Sequence, residues 1–443
     1  MEKSDLIIIG AGPGGYETAV EAAAHGKTVT LIERAQPGGT CLNRGCIPTK
    51  ALCRSAEVAM TLAEAADYGF SAANSVLDFP VVMQRKDRIV GELREGVATL
   101  LKDVNVINGE ARFKTPAIVE VDGQEYTAPE IIIATGSAPA MLPIESKELC
   151  LTSDEILSLD TLPKSLCVIG GGVIGMEFAS VFAAFGVEVT VVEYCKEILP
   201  PFDAEIAKRL RMSLKRRGIN IITGAEVKSI SAGPVVNYSV KGKEKTVEAE
   251  AVLMAVGRQP VVPEGLADLG VKFNRRAIAV NDDMTVKFED GKAPSDVKLY
   301  AIGDVNGRCM LAHAATMHGK VALGLTSLTD VIPSAVFTYP ECAMVGLTEE
   351  KCAELGRNVK IGKATFRANG KALAMGEPDG LVKVIADAET DELLGCHICG
   401  AHAADLVQEI ATAMQAGLKA SAISSTVHAH PTLGEVVLSA IPK

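Results

Sequence analysis

A glycine-rich turn occurs twice in this chain, and both copies stand in the same frame. Asp5 to Ile9 reads as a buried strand ending on Gly10-Ala11-Gly12-Pro13-Gly14-Gly15, followed by a helical stretch, Tyr16 to Ala24, and by a second strand, Thr28 to Ile32, closed by Glu33. Leu166 to Ile169, Gly170-Gly171-Gly172-Val173-Ile174-Gly175, Met176 to Phe185 and Glu188 to Val192 repeat that plan, closed by Glu193. The interval from first glycine to terminal acid is 23 residues in both, Gly10 to Glu33 and Gly170 to Glu193. Strand, glycine turn, helix, strand and acid in this order form a βαβ unit. Its turn brings backbone N–H groups and a helix start to a pyrophosphate, and its acid receives ribose hydroxyls. The candidate ligands are Gly10, Gly12, Gly15 and Glu33 in the first unit, and Gly170, Gly172, Gly175 and Glu193 in the second. An α/β fold with two Rossmann-like dinucleotide-binding domains is expected.

Between the units lies a second constraint, Gly39-Thr40-Cys41-Leu42-Asn43-Arg44-Gly45-Cys46-Ile47-Pro48-Thr49-Lys50. Residues five apart on a regular helix have Cα atoms roughly 8 to 9 Å apart, beyond the ~7 Å that a disulfide tolerates. Gly45 and Pro48 supply the means to distort the turn, with Pro48 expected to break the ladder between the cysteines and Lys50. Closing so short a loop adds little stability, so the value of a Cys41–Cys46 pair is chemical. A helix starting at Pro48 and the Lys50 ammonium would favour a thiolate at Cys46. Cys41 lies eight residues past Glu33, and a flavin is the cofactor able to exchange electrons with a disulfide. That assigns FAD to the first unit and a nicotinamide to the second. Tyr194 and Cys195 follow Glu193 where arginines would receive a 2′-phosphate, which points to NAD over NADP.

Bulk properties narrow the class. The chain has 443 residues, more than one core usually holds, so several domains are expected. No apolar run approaches ~18 residues, so no membrane span is expected. A formal charge of -11 argues against nucleic acid. The first strand begins almost at once, so no signal or transit peptide is expected. Eleven cysteines, an odd number scattered outside 41–53, do not form a secreted disulfide framework, and a reducing cytoplasm is expected. Cys396-His397-Ile398-Cys399 lies in a predicted strand that sends successive side chains to opposite faces, with no second cysteine pair at zinc spacing, so no metal is expected.

The stretch Gly39 to Lys50 resembles the redox-active disulfide signature of the class I pyridine nucleotide-disulfide oxidoreductase family, and the resemblance extends along almost the whole chain. It implies FAD contacts at Gly39, Thr40 and Lys50, at Thr135-Gly136 where the chain leaves the first domain, and at Gly303-Asp304, with Asp304 on the ribityl chain. Gly257 closes the nicotinamide unit. The implied division is 1–145 for FAD with the redox pair, 146–268 for NAD, 269–331 returning to the FAD domain, and 332–443 as a C-terminal α+β dimerisation domain, in which Tyr339-Pro340-Glu341 and Met375-Gly376 match. In His428-Ala429-His430-Pro431-Thr432-Leu433-Gly434-Glu435, His430 becomes the acid-base group and Glu435 its orienting carboxylate, facing Cys41 of a second subunit; His428 is read as structural. Lys50 and Glu177 would pair near the flavin, and His313 and His318 are read as packing or flavin-adjacent. The implied reaction is oxidation of protein-bound dihydrolipoamide by NAD+ in a cytoplasmic homodimer. Its partner would be a lipoyl-bearing acyltransferase or a glycine-cleavage carrier protein. The alternative substrate is another low-molecular disulfide such as glutathione.

Overall fold

Leu6, Ile7, Ile8 and Ile9 leave no polar face, so a strand made of them must be covered on both sides. In the computed structural model, which describes residues 2–443, Leu6–Ile9 is fully buried as the middle strand of a five-stranded parallel sheet. The order is Lys298–Ala301, Glu130–Ile133, Leu6–Ile9, Val29–Glu33, Asn105–Asn108. This sheet belongs to a compact unit comprising the chain up to Ala51 with Val81–Ala140 and Arg258–Leu328. Helices Pro13–Ala24 and Ala312–Ala322 pack together there, and a smaller four-stranded sheet runs Glu2–Lys3, Gln124–Thr127, Ile118–Val121, Arg112–Thr115.

The second compact unit comprises Leu52–Pro80, Met141–Gly257 and Thr329–Lys443. Its parallel sheet runs Ala251–Met254, Ser165–Ile169, Glu188–Glu193, Asn220–Thr223, the same order as the last four strands of the first sheet. The repeat seen in the glycine spacing is therefore a repeat of topology. Even the closing hydrogen bonds correspond: Gly10 N–H donates to Ile32 and Gly170 N–H to Val192, at 2.7 and 2.9 Å.

The same unit holds a five-stranded antiparallel sheet, Ser334–Val336, Glu341–Gly346, Leu393–Gly400, Leu381–Asp387, Val359–Thr365. Leu381–Asp387 and Leu393–Gly400 are buried at every residue rather than at alternate ones. Helix Ala403–Gln415 and helix Ala204–Arg216 both pack against Leu393–Gly400. Lys383 is inside this sheet, 1% exposed, bonded to Asp203 at 2.8 Å and Glu349 at 2.6 Å. Among the described residues no helix is long and apolar enough to cross a membrane.

Candidate active site

Both glycine turns have the shape a phosphate requires. Gly10 and Gly170 have φ of +102° and +108°, and a Cβ on either would strike the carbonyl of Ala134 or Ala255. A Cβ on Gly15 or Gly175 would overlap the carbonyl of Gly10 or Gly170, so the helix start lies directly on the strand end. The middle glycines differ: at Gly172 a Cβ would meet nothing within 4 Å, and at Gly12 only the Gly39 Cα at 4.0 Å. Helices Pro13–Ala24 and Val173–Ala184 start on Gly12 and Gly172 with no side-chain cap. Uncapped N–H groups beside open space suit a pyrophosphate, so the turns fit FAD and a nicotinamide dinucleotide.

The acids do more than their spacing indicates. Glu33, 8% exposed, accepts the N–H of Ala11 at 2.7 Å on one oxygen and that of Ala35 at 2.8 Å on the other. Glu193 accepts from Gly171 and Cys195 in the same way. Each carboxylate therefore also fixes its own glycine loop, and each oxygen retains a second lone pair for a ribose hydroxyl.

The redox stretch grows out of the first turn. Gly38 donates its N–H to Ala11 at 2.8 Å, and a Cβ on Gly39 would press on Gly12, so helix Gly39–Arg44 is seated on the phosphate loop. A second helix, Cys46–Ala63, follows. The break is at Gly45, between the cysteines, rather than beyond them at Pro48. Pro48 sits in the first turn, where a missing N–H costs no intrahelical bond, and the ladder resumes with Thr49 N–H to Gly45 at 3.1 Å. A Cβ at Gly45 would come within 2.9 Å of the Thr40 carbonyl, so only glycine lets the two helices fold this closely. The result is contact between Cys41 and Cys46, both thiols here. Hydrogen bonding to Cys46 is the largest influence holding Cys41 far above an ordinary thiol pKa; burial and the charge of Cys46 add to it, and Lys50 opposes it.

Asp304 lies at the end of the returning strand and accepts from Ser137 Oγ at 2.5 Å. Arg258 donates to Ser137 Oγ and to the Ser137 carbonyl, both at 2.7 Å. Thr135 Oγ1 donates to the Val261 carbonyl, and Val261 N–H to Gly136, which stitches together the two chain crossings. His318, 1% exposed, accepts the N–H of Gly303 on Nδ1 at 3.2 Å. Burial foremost, then the charge of Arg308, push its pKa down to about 4, so it is neutral. Ser137 and Arg258 were not among the expected site residues, and His318 was expected as packing or flavin-adjacent. The signal for the first two was their placement directly after Thr135-Gly136 and Gly257.

In the second unit, Glu177 is buried on helix Val173–Ala184 and accepts the N–H of Phe337 at 2.9 Å. His430 and Glu435 are brought together, Nδ1 to Oε1 at 2.9 Å, with the histidine side chain 79% exposed. Glu435 also accepts the N–H of Thr432 at 2.8 Å. That bond first, then His430, holds its carboxyl below the ordinary carboxylate range. One ring nitrogen is thereby fixed and the other faces outward, the arrangement of an oriented acid-base histidine. His428 is turned inward, toward Glu409. Cys396, His397 and Cys399 are buried in the strand Leu393–Gly400, and among the described residues no group of three or more His, Cys, Asp or Glu could hold a metal ion.

Comparison with known proteins accords with this geometry. The family model for pyridine nucleotide-disulphide oxidoreductase matches residues 4–319, and that family's dimerisation-domain model matches residues 332–441. The chain is 40% identical to a dihydrolipoyl dehydrogenase of Bacillus subtilis (strain 168), covering 98% of this chain and 96% of that one. It is 39% identical to a dihydrolipoyl dehydrogenase of Staphylococcus aureus, covering 100% and 96%. Among solved structures, the HOCl-induced flavoprotein disulfide reductase RclA from Escherichia coli superposes with a TM-score of 0.85 at 29% identity, covering 99% of both chains.

Proposed function

The chain belongs to the pyridine nucleotide-disulphide oxidoreductase family, and from that premise we propose that it is a dihydrolipoyl dehydrogenase, oxidising protein-bound dihydrolipoamide with NAD+. The observation that carries the reading is the contact of Cys41 with Cys46 on the phosphate loop of the first nucleotide unit. Residues 1–145 and 269–331 would hold FAD, 146–268 NAD, and 332–443 the second subunit of a homodimer. Bound FAD supplies the two-electron link between the cysteine pair and the nicotinamide.

The chain's own residues account for the thiol chemistry. His430, delivered from the second subunit, takes the proton of one substrate thiol on its outward nitrogen. The thiolate attacks Cys41 Sγ in the oxidised pair, the Cys41–Cys46 bond breaks, and Cys46 leaves as thiolate. The second substrate thiol attacks the substrate sulfur of the mixed disulfide and releases Cys41. Two electrons pass to the pair; one proton stays on Cys41 and one on His430. Lys50 and Glu177 are assigned to the flavin edge, and Glu193 to the NAD ribose. The partner is a lipoyl-bearing acyltransferase or a glycine-cleavage carrier protein, and the location is cytoplasmic.

Anaerobic titration of the purified protein with NADH and NADPH, followed by turnover with lipoamide and with oxidised glutathione, tests this reading. Reduction by NADH and turnover with lipoamide are expected. Preference for NADPH overturns the role of Glu193, and turnover with glutathione alone overturns the substrate.

A further inference from the structure

His430 stands on a segment that is poorly tied to the protein. Val427 is 95% exposed, and Ser424, Ser425, Thr426, Ala429, His430 and Pro431 are all exposed. The hydroxyls of Ser425 and Thr426 bond to the nearby carbonyl of Ala422, and Thr432 Oγ1 bonds back to Ala429. Among the described residues between Ser424 and Pro431, two side chains hydrogen-bond to another helix, His430 to Glu435 on helix Gly434–Ser439 and His428 to Glu409, and just beyond them the Thr432 carbonyl accepts from Asn369 Nδ2 at 3.0 Å. The His428 Nε2 meets Glu409 Oε1 at 2.9 Å, with the histidine side chain 10% exposed, and its Nδ1 meets the Thr426 carbonyl at 3.1 Å. Glu409 is on helix Ala403–Gln415, which is packed on the antiparallel sheet and rigid by burial. The His428 ring also lies against the start of the terminal helix, since a Cβ on Gly434 would be 3.6 Å from its Cδ2. That helix carries Glu435, the partner of His430.

We propose that His428, held by Glu409, is a positioning residue for the acid-base histidine: it fixes the exposed segment at one point, two residues before His430. A general base acts only when its nitrogen is within hydrogen-bond reach of the proton it takes, so a displacement of about 1 Å costs orders of magnitude in rate. Downstream of His430 the segment is held by the terminal helix, which carries Glu435 and packs on strand Val359–Thr365, and by Asn369 on the Thr432 carbonyl. Upstream of His430 the hold is His428 on Glu409 of the larger helix, so the exposed run from Ser424 is located from that side through this one bond. This rests on the reading of His430 as the acid-base group.

The test uses holoenzyme variants H428A, H428Q, E409A, H428A/E409A and H430Q. It measures flavin reduction by dihydrolipoamide in stopped flow, steady-state kcat and KM for dihydrolipoamide, and NADH–ferricyanide turnover. The last needs no thiol base. In H428A the dithiol rate and kcat should fall at least about tenfold, with KM for dihydrolipoamide and NADH–ferricyanide turnover within about twofold. The amide of H428Q reaches Glu409 from the position of Nε2 and should recover most of the loss. The double variant should be no slower than H428A, because both changes cut the same tether. Wild-type dithiol turnover in H428A beside an inactive H430Q overturns the proposal and leaves the His430 reading intact. An active H430Q overturns that reading, and the proposal with it. If H428A loses its flavin or its dimer, E409A decides, and unaltered dithiol turnover there overturns the proposal.

Discussion

Mild acid should destabilise this protein through His318. The ring is 1% exposed on helix Ala312–Ala322, its Nδ1 occupied by the N–H of Gly303, and its pKa falls from 6.5 to about 4 because a charged imidazole would be buried beside Arg308. Below pH 6.5 the unfolded chain takes up a proton at this site, and the folded chain does not until about pH 4. Stability is therefore full above about 6.5 and drops as pH falls toward 4. At about 1.4 kcal/mol per pH unit the loss is about 2 kcal/mol by pH 5 and about 3 kcal/mol in all. H318N separates this from the carboxylates, which titrate equally in both proteins: its Oδ1 stands where Nδ1 accepts from Gly303, and it binds no proton. Urea unfolding of wild type and H318N at pH 7 and pH 5, followed by far-ultraviolet circular dichroism, measures the difference. The variant should gain about 2 kcal/mol on wild type between the two pH values. An unchanged difference would refute the inference that this histidine is held neutral by its burial.

Other substitutions examine separate parts of the argument. K383M strips Asp203, 0% exposed, of its buried cation and should cost about 3 to 5 kcal/mol in urea unfolding. D203N/K383M should regain most of that, because no charge is left stranded. G15A should purify without flavin, whereas G175A should keep flavin and bind NADH at least about tenfold more weakly; absorbance at 450 nm and NADH titration distinguish them, and the reverse pattern would exchange the two cofactor assignments. H430Q should slow dithiol oxidation by about 10²- to 10⁴-fold with NADH–ferricyanide turnover retained, and the acid limb of the wild-type kcat/KM profile should disappear with it.

What could be read beforehand was local. The glycine turns were legible because each constraint acts within a few residues: a carbonyl where a Cβ would go at Gly10, a helix start against a strand end at Gly15. His430 and Glu435 are also local, five residues apart, but their pairing followed from the family resemblance rather than from the spacing itself. Helix Ala204–Arg216 was equally local yet was passed over. Asp203 caps it through the N–H groups of Glu205 and Ile206, and Lys215 and Arg216 close it, which is a complete start and stop signal. Pro48 misled because proline breaks a helix only where its N–H is needed, and the first turn is not such a place.

The groups that escaped the sequence share a different property. Lys383 and Asp203 are 180 residues apart, Ser137 and Asp304 167, and Gly303 meets His318 only once a helix has turned back. A lysine in a strand reads as a solvent-facing residue, because burying it is unfavourable until a carboxylate from elsewhere is beside it. Such pairs carry no spacing pattern, since neither member has a reason to be where it is without the other. They also lie one layer behind the predicted contacts: Ser137 and Arg258 on Asp304, His318 on Gly303, Glu409 and His428 behind His430. A motif specifies which atoms meet the substrate. The supports that hold those atoms within a fraction of an ångström come from distant chain segments, and for that reason only the folded chain reveals them.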